Sequence, residues 1–281
     1  MSAAPTAGNV TKPDRLQRAF ARARAEGRKV LAVYLTACDP DQQTSQRLML
    51  AAAAAGADII ELGIPWSDPS ADGVAIQAAM HRARAGGGGL TQALEVCRAV
   101  RAANPDVALV PFGYANPIVI AGPDRFAQRA KDAGADAILC VDWPPDEGPE
   151  LLAALRKAGL GYVPLLAPTS TDARVDVAAA AANGFIYYVS MTGITGVKIN
   201  DLEGPRRHVE KIRAATGNRH PVVVGFGITT PEDARAIAGF ADGVVVGSAA
   251  VRVVERAVAA KRDPVPELET FVRGLAAALK V

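Results

Sequence analysis

The sequence predicts an α/β fold, a closed (β/α)8 TIM barrel with extra short helices, and three observations carry that prediction. Short apolar runs alternate with Ala-rich amphipathic segments at roughly regular spacing, and there are eight such runs. Their apolarity is near-continuous rather than alternating, which marks strands covered on both faces, hence parallel strands joined by right-handed helical crossovers. Finally, Ala55-Gly-Ala-Asp-Ile-Ile-Glu61 and Ala133-Gly-Ala-Asp-Ala-Ile-Leu139 repeat a helix-stop glycine, a short turn and an apolar strand, and Phe240-Ala-Asp-Gly-Val-Val-Val246 echoes them loosely.

Residues 1–12 are rich in Ala, Thr, Gly and Pro, lack the apolar centre of a signal peptide and read as a flexible lead-in to one barrel domain, 13–281. Strands are expected at 30–34, 57–62, 108–113, 137–141, 161–165, 185–189, 222–226 and 243–246, with helices between them at 43–55, 90–103, 123–133, 149–158, 172–182, 204–215 and 231–238. The second strand is stopped by Gly63, Pro65, Pro69 and Gly73, which rule out a continuing helix. Thr230-Pro-Glu-Asp233 starts its helix with a cap residue and a first-turn proline. Extra short helices are expected at 15–25, 74–83 and 266–279, and Gly86 to Gly89 reads as a hinge rather than a phosphate loop.

The chain's 281 residues, half of them apolar, suffice for one large core. Lys plus Arg number 31 against 29 Asp plus Glu, so no basic excess points to nucleic acid. The longest apolar region, 48–60, is interrupted by Asp58 and falls short of a membrane span. The expected protein is cytoplasmic, with small molecules or other proteins as partners. Cys38, Cys97 and Cys140 show no CxxC spacing, and His81, His208 and His220 make no His-x-x-x-His pair, so reduced thiols and no metal are expected.

The chemistry concentrates in Glu61-Leu-Gly-Ile-Pro-Trp-Ser-Asp-Pro-Ser-Ala-Asp72, which places one carboxylate at the carboxyl edge of a strand and a second in the Pro-rich loop after it. A carboxylate at a strand end is also met as a solvated group or a helix cap. In a barrel, however, the loops at the carboxyl ends of the strands form the active site, and those after the seventh and eighth strands often bind phosphate. Here these loops are Gly225-Phe-Gly-Ile228 and Gly247-Ser-Ala-Ala250; the latter opens a helix whose amino terminus would present free N–H groups, with Ser248 adding a hydroxyl. Thr192-Gly-Ile-Thr-Gly196 after the sixth strand is a third glycine set, suited to a lid. Glycine after a strand also serves turns for backbone reasons alone. No Lys or Arg lies among these loops, so amides and helix ends would hold an anion, as suits a phosphate monoester on a larger substrate.

Glu61 to Gly73 resembles the signature of the tryptophan synthase alpha subunit family, and Tyr34-Leu-Thr-Ala-Cys-Asp-Pro40, Tyr114-Ala-Asn-Pro117, Tyr187-Tyr-Val-Ser-Met-Thr-Gly-Ile-Thr-Gly196, Gly225-Phe-Gly-Ile228 and Gly247-Ser248 resemble its loops in order and spacing. The resemblance spans roughly residues 16–279. It implies retro-aldol cleavage of indole-3-glycerol phosphate to indole and glyceraldehyde 3-phosphate, with indole passed to a beta subunit in an α2β2 complex. No cofactor is implied for this chain; pyridoxal phosphate belongs to the beta partner. Glu61 would be the general acid and base, and Asp72 would accept from the indole N–H. Tyr34, Phe112, Tyr114, Leu166, Tyr187 and Thr195 would surround the substrate, although an aromatic at such a position also serves as core packing. Gly196, Gly227, Gly247 and Ser248 would cradle phosphate, and Asp68, Pro69 and Asn116 would face the partner.

Chemistry independent of the resemblance agrees with it. Breaking an unactivated C–C bond requires protonation of the ring carbon, which an acid raised in pKa by an apolar wall can supply, while an ionised second acid stabilises the cation. Four positions depart from the family pattern: Cys38 where Gly is usual, Ser70 for Leu, Val74 for Pro and Met191 for Arg. Cys38 would require a non-glycine backbone at the first loop, and Val74 loosens the end of the acidic loop. Two alternatives share these residues: a stand-alone indole-3-glycerol phosphate lyase, and a catalytically weak regulatory barrel subunit that binds phosphate ligands. Copurification of a beta chain separates the first from a pathway subunit, and intact Glu61 and Asp72 argue against the second.

Overall fold

The computed structural model describes residues 14–189, 202–225 and 227–280. Among them, nine strand segments form one parallel sheet: β1 (Val30–Thr36), β2 (Ile59–Gly63), β3 (Ala108–Gly113), β4 (Ala137–Cys140), β5 (Gly161–Tyr162), β6 (Leu165–Leu166), β7 (Ile186–Val189), β8 (Val222–Gly225) and β9 (Gly243–Val246). The order β5-β4-β3-β2-β1-β9-β8-β7-β6 begins and ends on pieces of a single extended run. Pro164 has no N–H to give a ladder, which splits the strand expected at 161–165. The run still joins the two edges: Val163 N–H donates to the Ile138 carbonyl at 2.9 Å, and the Pro164 carbonyl accepts from Tyr187 N–H at 3.0 Å. The sheet therefore curls onto itself with eight barrel positions.

Twelve helices accompany it among the described residues: α1 (Asp14–Ala25), α2 (Gln42–Ala54), α3 (Val74–Ala85), α4 (Leu90–Ala103), α5 (Ala115–Ala121), α6 (Pro123–Asp132), α7 (Pro149–Ala158), α8 (Asp172–Ala181), α9 (Glu203–Thr216), α10 (Pro231–Ala238), α11 (Ser248–Ala259) and α12 (Pro264–Ala278). Seven of them, α2, α4 and α6 to α10, are the expected crossovers. The short α5 was not expected; its seven residues are too few to show a helical period. At α10 the Thr230 side chain accepts from Asp233 N–H while the Asp233 side chain accepts from Thr230 N–H, a capping box that fixes the helix start. No helix among the described residues is long and apolar enough to cross a membrane. The lead-in 1–12, the loop 192–196 with Thr195 and Gly196, Met191, and Phe226 at the end of the seventh expected strand lie outside the described residues.

Strand pleating sorts the core into two layers. On β1, Leu31, Val33 and Leu35 join the layer between sheet and helices, while Val30, Ala32 and Tyr34 point into the barrel. The interior layer continues through Ile59, Val110, Phe112, Leu139, Val163, Tyr187, Val223 and Val245. At one end Phe20 of α1 meets Phe185 with ring centroids 6.0 Å apart. At the other, Ile76, Ala79 and Met80 of α3 and Val251 of α11 pack onto the same layer.

The repeated Ala-Asp segments have a structural cause. Asp58, Asp136 and Asp242 each precede a strand and brace its neighbour twice: the backbone N–H donates to Leu31, Leu109 and Val222 carbonyls respectively, at 2.8 to 2.9 Å, and the side chain accepts from the N–H of the same residue at 3.1, 2.8 and 2.9 Å. Arginines neutralise the carboxylates: Arg22 and Arg28 on Asp58, Arg15 and Arg101 on Asp136, Arg213 on Asp242. Arg15 and Arg22 belong to α1, so the same aspartates fasten that helix across the amino-terminal end of the barrel.

Candidate active site

Glu61 continues the inward-facing series of β2, opposite Tyr34 on β1 and Val110 on β3. Only 1% of it is exposed, and neither carboxylate oxygen makes a hydrogen bond to a described residue. A buried carboxylate without donors pays full desolvation only when ionised, so it holds its proton. Burial accordingly pushes Glu61 up from 4.5 to about 8. At neutral pH it is an acid.

Asp72 has different surroundings. The Tyr114 hydroxyl donates to its Oδ2 at 2.7 Å, and that hydroxyl in turn accepts from Ala71 N–H at 3.1 Å. Desolvation raises Asp72 to about 6, with the Tyr114 bond working in the opposite direction. Gln77 of α3 holds the Asp72 carbonyl at 2.8 Å, so the loop is tied at both main chain and side chain. Both acids act electrostatically on the Tyr34 and Tyr187 hydroxyls, whose ionisation is pushed well up chiefly by burial. One pocket therefore holds a carboxylic acid and a group that is mostly carboxylate at neutral pH.

The walls are aromatic. Tyr34 and Phe112 meet edge to face at 5.2 Å and 77°. A Cβ at Gly63 would lie 2.1 Å from the Tyr34 hydroxyl oxygen, and one at Gly225 would lie 2.2 Å from that of Tyr187. These two strand-end glycines clear the space the tyrosines occupy, a role that sequence reading did not assign to either. Leu166, expected in the wall, belongs instead to the outer layer, because the pleat turns Leu165 toward the interior.

The expected anion end adjoins the acids. Gly247 precedes α11 and lies against Tyr34 and Ile76, and a Cβ at Gly73 would be 3.8 Å from Ser248 Oγ. The loop of Asp72 thus ends beside the first residue of α11. Gly227 is exposed, with φ +39°. Of the residues expected to face a partner, Asp68 and Asn116 are exposed and Pro69 is buried. Cys38, expected to need a non-glycine conformation, instead takes the left-handed one at φ +64°, its N–H donating to Ser45 Oγ at 3.0 Å. Val74 is the first residue of α3 and 77% exposed. A cleft of about 810 Å³ between α1 and the opposite end of the barrel is lined by Arg24, Arg28, Lys29, Arg213 and Arg219 and contains neither acid. Volume alone does not locate the chemistry.

Comparison with known proteins places this geometry in a family. The family model described as tryptophan synthase alpha chain matches residues 20–280. A tryptophan synthase alpha chain of Azoarcus sp. (strain BH72) is 45% identical over 265 residues, 94% of this chain and 96% of the relative. One from Phenylobacterium zucineum (strain HLK1) is 44% identical over 267 residues, 95% and 96% of the two chains. Among solved structures, the alpha subunit from Legionella pneumophila str. Paris superposes with a TM-score of 0.88 at 36% identity, covering 94% of this chain and 98% of that one. A chain of Mycobacterium tuberculosis tryptophan synthase gives 0.86 at 34% identity, with 95% and 98% covered. Relatedness of this depth over nearly the whole length leaves one assignment: the chain belongs to the tryptophan synthase alpha chain family.

Proposed function

We propose that the chain cleaves indole-3-glycerol phosphate by a retro-aldol reaction, giving indole and glyceraldehyde 3-phosphate. The observation that supports this reading most directly is the buried Glu61 carboxyl, raised to about 8 and without a hydrogen-bond donor among the described residues, in the same pocket as the hydrogen-bonded Asp72. Glu61 delivers its proton to C3 of the indole ring, which leaves an indoleninium cation. Asp72, ionised and held by Tyr114, accepts from the ring N–H and stabilises that charge. The Glu61 carboxylate then takes the proton of the glycerol hydroxyl next to the ring. The O–H electrons form the aldehyde C=O, the C–C bond breaks, and its electrons restore neutral indole. Each turnover returns the proton to Glu61.

Tyr34, Phe112 and Tyr187 supply the apolar walls for the ring. Gly227, Gly247 and Ser248 hold the phosphate with amides and the positive end of α11, and no cofactor is required by these steps. The partner is a tryptophan synthase beta subunit, docked at the carboxyl-terminal face of the barrel. Asp68 and Asn116 are exposed there, together with the large apolar side chains Val74, Val119 and Ile120, at 77%, 56% and 75% exposure. The test is indole release from indole-3-glycerol phosphate by the purified chain, alone and with a beta subunit. Slow release that rises strongly with the partner is the expected result. Fast release alone points to a stand-alone lyase, and none under either condition overturns the reading.

A further inference from the structure

Arg82 lies near the end of α3, away from both acids, yet it ties that helix to the loop after β1 and to α11. Its Nε and Nη2 donate to the two oxygens of Asp39 at 2.9 Å each, and its Nη1 donates to Glu255 Oε1 of α11, also at 2.9 Å. Asp39 belongs to the loop after β1 and is 4% exposed, so the guanidinium fork is what neutralises a buried carboxylate. The helices α3 and α11 are not crossovers; both pack on the interior layer at the end where Tyr34 lies. At their amino ends the Asp72 loop meets Ser248, with Gly73 and Ile76 of one helix region against Ser248 and Gly247 of the other. Glu255 lies seven residues after Ser248, two turns along the same face of α11. The pair of helices is therefore clasped at one end by Arg82 and presents its other end to the substrate.

We propose that Arg82 is a positioning residue of the active site, fixing the helix behind Asp72 against the helix that begins at Ser248 and so setting the spacing between the acid pair and the phosphate end. This rests on the retro-aldol reading above. A substrate with a ring at one end and a phosphate at the other measures that spacing, so loosening the clasp weakens ground-state binding first and misplaces Asp72 second.

The experiment is steady-state cleavage of indole-3-glycerol phosphate, with a beta subunit present, by wild type, Glu255→Gln, Arg82→Lys and Arg82→Gln, each with its melting temperature. Glu255→Gln weakens only the α11 arm, at a partly exposed position, by exchanging a charged acceptor for a neutral one, and it should raise KM about fivefold with kcat within about twofold. Arg82→Gln should lower kcat as well, to a loss of about a hundredfold in kcat/KM, and Arg82→Lys, which keeps the charge without the fork, should fall between. If Arg82→Gln fails to fold because Asp39 is left unpaired, the other two variants carry the test. In a Ser248→Ala, Glu255→Gln cycle the KM effects should be strongly non-additive while the melting shifts add. Wild-type KM and kcat in both Glu255→Gln and Arg82→Lys, or KM effects that simply multiply with Ser248→Ala, overturn the positioning role while leaving the reaction standing. A wild-type chain that does not cleave the substrate overturns the reaction, and this role with it.

Discussion

The ring of Tyr34 lies across Gly63, the last residue of the strand that carries Glu61: a Cβ there would come within 2.1 Å of the hydroxyl oxygen and 2.5 Å of the ring carbon bearing it. Gly63→Ala must displace an aromatic that is only 2% exposed, so the methyl is not absorbed by a flexible chain end. Overpacking of this kind costs about 1–3 kcal/mol, and it moves one wall of the pocket. The expected result in a denaturant melt and an indole-release assay is a loss of stability in that range with at least a tenfold loss of kcat/KM. Full activity in a variant of unchanged stability would show that the Tyr34 ring has no fixed place.

Tyr114→Phe removes the donor that favours ionised Asp72. Since that bond holds Asp72 down against desolvation, its loss moves the group above about 6. In wild type, activity should rise through about 6 as Asp72 ionises and fall through about 8 as Glu61 loses its proton. The variant should shift the acid limb of kcat/KM upward and leave the basic limb in place. An unmoved acid limb would separate Asp72 from catalysis.

Glu61→Gln should abolish cleavage, because it deletes proton transfer while removing little volume. It should also change stability in a pH-dependent way. The native carboxyl binds its proton more tightly than the unfolded one, so its contribution is fully present below 4.5 and is lost as pH rises through about 8. At pH 5 the variant and wild type should melt nearly alike. At pH 9 the variant should be more stable, by on the order of 3–5 kcal/mol. Equal melting at both pH values would mean that Glu61 is not dry.

Val74→Pro tests the entrance to α3. Val74 is the first residue of the helix, and Gly73 before it sits at φ −74° and ψ 162°, an extended conformation that a following proline accepts. The substitution should stabilise by about 0.5–1 kcal/mol by restricting the unfolded chain, read as a rise of 1–3 °C in melting temperature. A fall would indicate strain at Gly73.

The strands and crossover helices were legible because apolar runs and amphipathic periods are local properties, and the Glu61 to Asp72 segment was legible because its residues are contiguous in the chain. What depended on pairing between strands was not. Gly63 reads as a strand stop and Gly225 as part of an anion-binding loop, and only the register of β1 beside β2 and of β7 beside β8 brings a tyrosine over each. Leu165 and Leu166 differ by one step of pleat, and the pairing of Leu165 with the inward-facing Tyr187 of β7 is what places it in the barrel. The bond from Tyr114 to Asp72 spans 42 positions and the Arg82 fork to Asp39 spans 43, beyond the reach of any local pattern. The dryness of Glu61 likewise depends on neighbours from other strands.

The aspartate braces at the amino-terminal strand ends divide the molecule by function. Asp58, Asp136 and Asp242 lock neighbouring strands, and through Arg15 and Arg22 they fasten α1, at the end opposite the acids. Sequence change at the catalytic end can therefore accumulate without unseating the barrel. Cys38, Ser70 and Val74, where the resemblance led to other residues being expected, all fall in loops or a helix start at that catalytic end.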